Sequence, residues 1–553
     1  MAVDIGLSVA CALCLTLGLF TATQGYVHIL QLEGYHNQGL HKHGTKRALL
    51  TAAIGLGFAG VYAVIMSLVR VEGLPHLRFC VACVVFAAYS LVVWALNPYK
   101  KSKKPLVYTR RVLRLYAVIL LLISIYTAGF FFTGNPWFAL AYAGLAAAPW
   151  AYVMLANWLV SPMEGLIADG FKRKAVKKLA GMPNLKVVGI TGSYGKTSSK
   201  FILAAILSQK YKTLATPQSF NTPMGVCRAV LEQLTPEHEV FICEMGARRQ
   251  GDIAELCAMV KPTVGLLTSI GPQHLETFGN METLADTKFE LAQSLPENGI
   301  SFFPDDGDWG SRLYACARQP KFLFGVGEEA DAPLFARATD IQCTPQGSRF
   351  TLIVNGESAT ARTCLLGEHN ITNIVGAAGV AHAMGLTLEE IVAGIAEVQP
   401  IEHRLQIVRS DSVVVIDDAF NASPNGTRAA LAVLARFEGR KIIVTPGLLE
   451  LGDAELAENQ KFGQNMAEVA DVVILVGANP RADAMAQGCG EKTDTMAQAG
   501  AQKADAATKG GVEKAGLVIL RAPTLGDATR QLGGLLKPGD VVLFENDLPD
   551  HLE

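Results

Sequence analysis

The sequence predicts a multidomain chain: an N-terminal α-helical transmembrane region, an α/β P-loop domain with a mostly parallel sheet, then a smaller Rossmann-like α/β domain. Three observations predict it. Apolar runs of spanning length crowd the first 160 residues. A strand, a Gly-rich turn and a helix follow at Val187–Phe201. Strand and helix patterns then alternate to the end of the chain. The boundaries fall at 1–160 for the spans, 161–183 for an amphipathic linker, 184–397 for the central domain and 398–553 for the C-terminal domain.

The mean hydropathy of +0.28 is high for a chain of 553 residues. The excess sits in five segments, Ile5–Leu30, Leu49–Leu68, Phe79–Leu96, Leu113–Phe132 and Trp137–Val160. Each is close to the roughly 20 residues that a bilayer requires. Basic residues set their orientation. Lys100, Lys101, Lys103, Lys104, Arg110, Arg111 and Arg114 mark a cytoplasmic loop, as do Lys42, Lys46 and Arg47. The expectation is therefore a multi-pass protein of the bacterial plasma membrane, with its N-terminus outside and its later domains cytoplasmic. Residues 161–183 place Ile167, Phe171, Ala175, Val176 and Leu179 near one helical face and Lys and Arg on the other. Such a stretch either lies on anionic lipid or forms a solvated linker helix. Cys11-x-x-Cys14 and Cys80-x-x-Cys83 lie inside apolar runs and read as small core residues, since zinc needs four converging ligands. The net charge of −2 gives no reason to expect a nucleic-acid partner.

The central domain is organised around VVGITGSYGKTSSKF, residues 187–201. Gly192 and Gly195 let backbone N–H groups approach phosphate oxygens. Lys196 reaches the β/γ-phosphates, the Thr197 hydroxyl can hold Mg²⁺, and the helix N-terminus adds positive potential. The strict pattern wants a glycine where Ile190 stands, so the match is partial. Strands at Val240–Cys243, Val264–Thr268 and Gly299–Phe303 alternate with helices at Asp252–Met259 and Met281–Ser294. Ligands of such sheets bind beyond the carboxyl ends of the strands. Glu244 and His274 follow two of those ends, where a carboxylate and an imidazole can hold Mg²⁺ against phosphates. Taken singly, each is more often an ordinary strand-end acid or loop residue.

Several motifs taken together carry a resemblance. They are Gly192-Ser193-Tyr194-Gly195-Lys196-Thr197-Ser198, Asn221-Thr222-Pro223-Met224-Gly225, Glu244-Met245-Gly246, His274, Lys288 and Gly367-Glu368-His369-Asn370-Ile371-Thr372-Asn373. They resemble the Mur ligase family, which forms peptide bonds in bacterial cell-wall precursors with ATP. Glu244-Met245-Gly246 and Ile416-Asp417-Asp418-Ala419-Phe420-Asn421-Ala422 are most similar to its MurF branch, the UDP-N-acetylmuramoyl-tripeptide–D-alanyl-D-alanine ligases. The likeness covers about 184–553.

The resemblance implies an ATP site formed by Gly192, Ser193, Gly195, Lys196, Thr197 and Ser198, with Asn221 near the γ-phosphate. It implies that His369, Asn370 and Asn373 contact adenine. Thr197 and Glu244 would hold one Mg²⁺. His274 would hold a second Mg²⁺ that also touches an acyl phosphate. Lys288 would be carbamylated by CO₂, turning a cation into a metal ligand. Arg404 would meet the transferred phosphate, and Asp418 the ribose, as the domains close.

The C-terminal domain reads as strands at Val413–Ile416, Lys441–Val444, Val472–Val476, Leu517–Leu520 and Val541–Phe544. No GxGxxG follows its first strand, so NAD is not expected. One departure stands out. Mur ligases begin with a domain that grips the UDP end of the precursor, and apolar spans take that place here. The implied partners are therefore a nucleotide-linked or lipid-linked cell-wall precursor, D-Ala-D-Ala or a related amine, and membrane lipids. The leading expectation is a membrane-anchored ATP-dependent amide ligase. The alternatives are a Mur-like ligase for another amine, such as a polyglutamate-type or lipid-precursor enzyme, and a non-catalytic ATP-binding scaffold.

Overall fold

The structure is a computed structural model. It describes residues 105–133 and 148–545, apart from 218–219, 274, 328–332, 410–411, 420–421, 450 and 491–516, together with scattered residues between 16 and 95. The chain divides into two compact units, Met1–Asp169 with Leu548–Glu553, and Gly170–Asp547.

The first unit has a helical core. Helix α1 (Arg110–Thr133) buries Val112, Leu115, Ile119 and Ile123 with Tyr26, Leu30, Tyr152, Val153 and Ala156. Arg114 makes a bidentate pair with Glu164, at 2.5 and 2.8 Å, and the Gln31 amide clasps the backbone of Val107 through two hydrogen bonds. These contacts bear on the expected membrane region. Among the described residues, no helix is long and apolar enough to cross a membrane. Helix α2 (Pro149–Ala180) shows why at one point. Its apolar run from Trp150 ends at Val160, ahead of Pro162 and Glu164. That is about 16 Å of helix, roughly half a hydrocarbon core. The five-span region and the multi-pass placement are thus corrected. Most of the first three expected spans, the stretch from Trp137 to Ala147, and Cys11, Cys14, Cys80 and Cys83 lie outside the described residues. The basic end of α2 is likewise a packed element. Ala175 is buried in the second unit's core with Val176 and Leu179 against it, Lys172 pairs with Glu255, and Lys178 donates to the Leu231 carbonyl.

The second unit holds two sheets. The first has nine strands in the order β2-β3-β1-β4-β5-β6-β7-β8-β9. They are β1 (Lys186–Thr191), β2 (Thr213–Ala215), β3 (Val240–Glu244), β4 (Val264–Leu267), β5 (Ile300–Pro304), β6 (Lys321–Val326), β7 (Ala336–Thr344), β8 (Gly347–Val354) and β9 (Glu357–Thr363). Pairing is parallel from β2 to β7 and antiparallel from β7 to β9, so the sheet is mixed. Alternation explains its two covered faces. Val188, Ile190, Val240 and Ile242 enter one core, while Val187, Phe241 and Cys243 enter the other. The first core receives α3 (Lys196–Leu207), the second α4 (Pro223–Glu232), α5 (Asp252–Val260) and α6 (Met281–Gln293). Helix α7 (Glu368–Ala383) also joins the first core.

The second sheet runs β10-β11-β15-β12-β13-β14. Its strands are β10 (Gln406–Arg409), β11 (Val414–Asp418), β12 (Lys441–Thr445), β13 (Val472–Val476), β14 (Val518–Ala522) and β15 (Val541–Glu545). It is parallel except for the β10–β11 pair. Ile416, Ile443, Val473 and Leu543 form its core with Ala430 and Leu434 of α8 (Pro424–Leu434).

Candidate functional site

The site begins where β1 stops. Gly192 and Gly195 have φ of 153° and 81°. A Cβ on Gly192 would lie 2.0 Å from Thr268 Oγ1, and one on Gly195 would lie 2.4 Å from Asn373 Oδ1. Both glycines are thus required by close approach as well as by backbone conformation. The loop is tied to the next strand end, because the Ser193 and Tyr194 N–H groups donate to the Ser269 carbonyl. Thr268 Oγ1 donates to the Tyr194 carbonyl at 2.6 Å. Ser193 Oγ is buried without a hydrogen-bond partner. Ser198 is buried at the start of α3.

Lys196 folds back on the loop, its ammonium donating to the Gly192 and Ser193 carbonyls at 2.7 Å each. Burial pulls its pKa down to about 8, and the Arg404 guanidinium pushes the same way against Glu244. Glu244, at the end of β3, is the anionic centre of the site. Its Oε1 accepts from Thr197 Oγ1 and from Asn221 Nδ2, both at 3.2 Å. Its Oε2 accepts from Lys200 Nζ at 2.9 Å. Asn221 is placed by its backbone, since its carbonyl accepts from Gly246 N–H at 2.8 Å. Lys288 on α6 is buried, 5.8 Å over the Phe278 ring. Burial, then the nearby charge of Lys196, lower its pKa to about 7.

The C-terminal region contributes Arg404, in the turn before β10, and Asp418, at the end of β11. His403 and Leu405 adopt positive φ of 59° and 47°, so the backbone is strained on both sides of Arg404. His403 pairs with Asp417 at 2.7 Å, and Asp418 Oδ1 accepts from the Leu405 N–H. Arg404 is acted on electrostatically by both Asp418 and Glu244. Asp418 lies in register with Glu545 of β15. Burial raises the Asp418 pKa to about 6 against the pull of Arg404, and burial with the Asp418 charge beside it also raises that of Glu545.

The remaining expected residues are placed as follows. His369 is exposed at the start of α7. The Asn370 amide donates to the Leu366 carbonyl, and Asn373 Oδ1 accepts from Ser199 Oγ while packing on Gly195. His274 lies outside the described residues. Sequence reasoning missed Lys200 and Glu545. A signal existed for Lys200: it falls one turn after Lys196, beside core positions Ile202 and Leu203, and a cation there needs a partner. Nothing marked Glu545, whose neighbour is set by strand order.

Hard oxygen donors from Thr197 and Glu244 meet beside a phosphate loop, a set that fits Mg²⁺ shared with phosphates. Among the described residues, no group of three or more His, Cys, Asp or Glu could hold a metal without such help.

Residues 190–381 match the Mur ligase middle domain, and residues 403–545 match the Mur ligase glutamate ligase domain. The UDP-N-acetylmuramoyl-tripeptide–D-alanyl-D-alanine ligase of Escherichia coli K12 is 35% identical over 309 residues, covering 55% of this chain and 68% of that protein. The chain belongs to the Mur ligase family. Members of this family are ATP-dependent ligases of peptidoglycan synthesis, and the chain is an enzyme of that class. The Mycobacterium bovis ligase of the same name is 33% identical over 375 residues, covering 65% of this chain and 70% of that protein. Among solved structures, MurF from Acinetobacter baumannii aligns with a TM-score of 0.59 at 28% identity, covering 69% of this chain and 77% of that one. MurF from Thermotoga maritima in complex with ADP aligns with a TM-score of 0.58 at 25% identity, covering 69% and 80%. Both family matches lie within Gly170–Asp547.

Proposed function

We propose that this Mur ligase works as a MurF-type enzyme, joining D-Ala-D-Ala to the terminal carboxylate of a UDP-N-acetylmuramoyl-tripeptide-type acceptor. The observation that carries the reading is the Thr197–Glu244 contact beside Lys196 at a phosphate loop, with Arg404 acting electrostatically on both Lys196 and Glu244. The names of the relatives favour a UDP-linked acceptor over a lipid-linked one.

In this reading ATP phosphorylates the acceptor carboxylate. The D-Ala-D-Ala amine attacks the acyl phosphate, and the tetrahedral intermediate expels phosphate. Lys196 leaves its loop carbonyls for the β/γ-phosphates, and Arg404 offsets charge on the transferred group. Thr197 and Glu244, with His274 and Lys288, would hold Mg²⁺, whose chemistry is to neutralise that charge. The low pKa of Lys288 supports carbamylation, since the neutral amine is the form that reacts with CO₂. Asp418 takes the ribose hydroxyls, and the start of α7, with His369, lies towards adenine.

The test is phosphate release and mass-spectrometric product detection with UDP-N-acetylmuramoyl-tripeptide and D-Ala-D-Ala. Lys196→Ala should lower the rate by at least about a thousandfold. Product formation only with a different amine would overturn the D-Ala-D-Ala assignment and leave the family intact.

A further inference from the structure

Glu244 divides its two oxygens between unlike neighbours. Oε1 meets Thr197 and Asn221, which are half-buried. Oε2 meets Lys200, and this pair is closed to water, with side-chain exposures of 0% for Lys200 and 1% for Glu244. Burying an ammonium is costly, and an apolar residue of similar volume would fill the same space. The helix that carries Lys200 also buries Ser198, Ser199, Ile202, Leu203, Ile206 and Leu207, none of them charged. The wider field points the same way. Lys196, Lys200 and Arg404 all act electrostatically on Glu244. One carboxylate among three cations attracts a polyphosphate and repels a bare divalent ion.

We propose that Lys200 is a positioning residue with two tasks. It pins Glu244 Oε2, leaving Oε1 as the single oxygen offered to a metal. Its fixed charge also keeps a divalent cation off Glu244 until nucleotide phosphates bring the cation in. Metal entry is thereby made dependent on the nucleotide. The inference rests on the ATP-dependent ligase reading, but its test does not use ligation.

The experiment titrates the full chain with Mn²⁺, following free Mn²⁺ by electron paramagnetic resonance with and without ADP. Wild type should bind Mn²⁺ at least about tenfold more tightly with ADP than without it. Lys200→Gln keeps a donor for Oε2 but removes the charge. It should tighten nucleotide-free Mn²⁺ binding by about tenfold and shrink the effect of ADP. Lys200→Arg, which keeps the charge, should behave as wild type. The double variant Lys200→Gln with Glu244→Gln should lose the gain. Circular dichroism checks that each variant is folded. Unchanged nucleotide-free Mn²⁺ affinity in folded Lys200→Gln would overturn the proposal, as would wild type binding Mn²⁺ equally well with and without ADP. Failure of the underlying ATP reading is distinguishable, because ADP itself would then not bind in calorimetry.

Discussion

Two acidic centres end parallel strands in the second unit, and their surroundings are opposite. Glu244 closes β3 and is met by Thr197, Asn221 and Lys200. Asp418 closes β11 and is met in register by Glu545, a second acid that is fully buried. The first carboxylate is neutralised before any ligand arrives, and its excess positive field suits phosphates. The second accepts from the Leu405 N–H, yet burial raises its pKa to about 6 even beside Arg404. A carboxylate in that state gains most from hydroxyl groups that donate to it. The two strand ends of this one unit thus carry opposite electrostatics.

The largest break in this contrast comes at Glu244. Glu244→Ala strands the Lys200 ammonium in the core, and removing one partner of a buried pair costs about 3–5 kcal/mol. We expect a clear drop in thermal midpoint and a loss of phosphate release of at least about a thousandfold. Normal values for both would show that Glu244 is not the centre of the site. Next is Gly195→Ala. Its positive φ and the close approach of Asn373 Oδ1 should cost about 1–3 kcal/mol and weaken ADP binding in calorimetry.

Asp418→Asn should raise the KM for ATP by about tenfold with a smaller change in kcat. It also has a pH signature. Asp418 binds its proton more tightly folded than unfolded, so its contribution to stability is present below about pH 4 and is lost as pH rises to about 6. The Asn variant, compared with wild type, should therefore gain stability at pH 8 relative to pH 4. A parallel shift of midpoint at both pH values would remove Asp418 from that role. Lys288 has the opposite sign. Its pKa falls to about 7, so the unfolded chain holds the proton above that value. Its stabilisation is lost as pH falls from about 10 towards 7, and Lys288→Met should flatten that slope in thermal melts. The smallest effect is expected from Glu545→Gln. It should leave phosphate release within about threefold and should not lower the pH at which Asp418 titrates, since Glu545 acts to hold that pKa down.

Much of the second unit was legible in advance. Period-two burial in Val187–Ile190 and Val240–Cys243 shows in the apolar runs, and the strand ends at Thr191 and Glu244 follow from the glycines and polar residues after them. Lys196, Thr197, Glu244 and Asn221 could be read together because their motif spacing is local or family-like. Glu545 could not, because it matters only through a neighbour far along the chain, and the partner of Lys200 was equally hidden although its place on an apolar helix face was a signal. The first unit was misread for a related reason. Hydropathy reports that Val112, Ile119, Tyr152 and Val153 avoid water, and it does not report whether lipid or protein covers them. The Arg114–Glu164 pair is invisible until two distant helices are side by side.

The amino-acid order thus determined where strands and helices lie, which turns need glycine, and which loop can cradle phosphate, because these depend on neighbours within a few residues. Tertiary structure alone decided that Glu244 is shared between Thr197, Asn221 and a buried lysine, that Asp418 faces Glu545, and that Arg404 acts electrostatically on both centres. Strand order sets those pairings, and the low polarity of the interior gives them their strength.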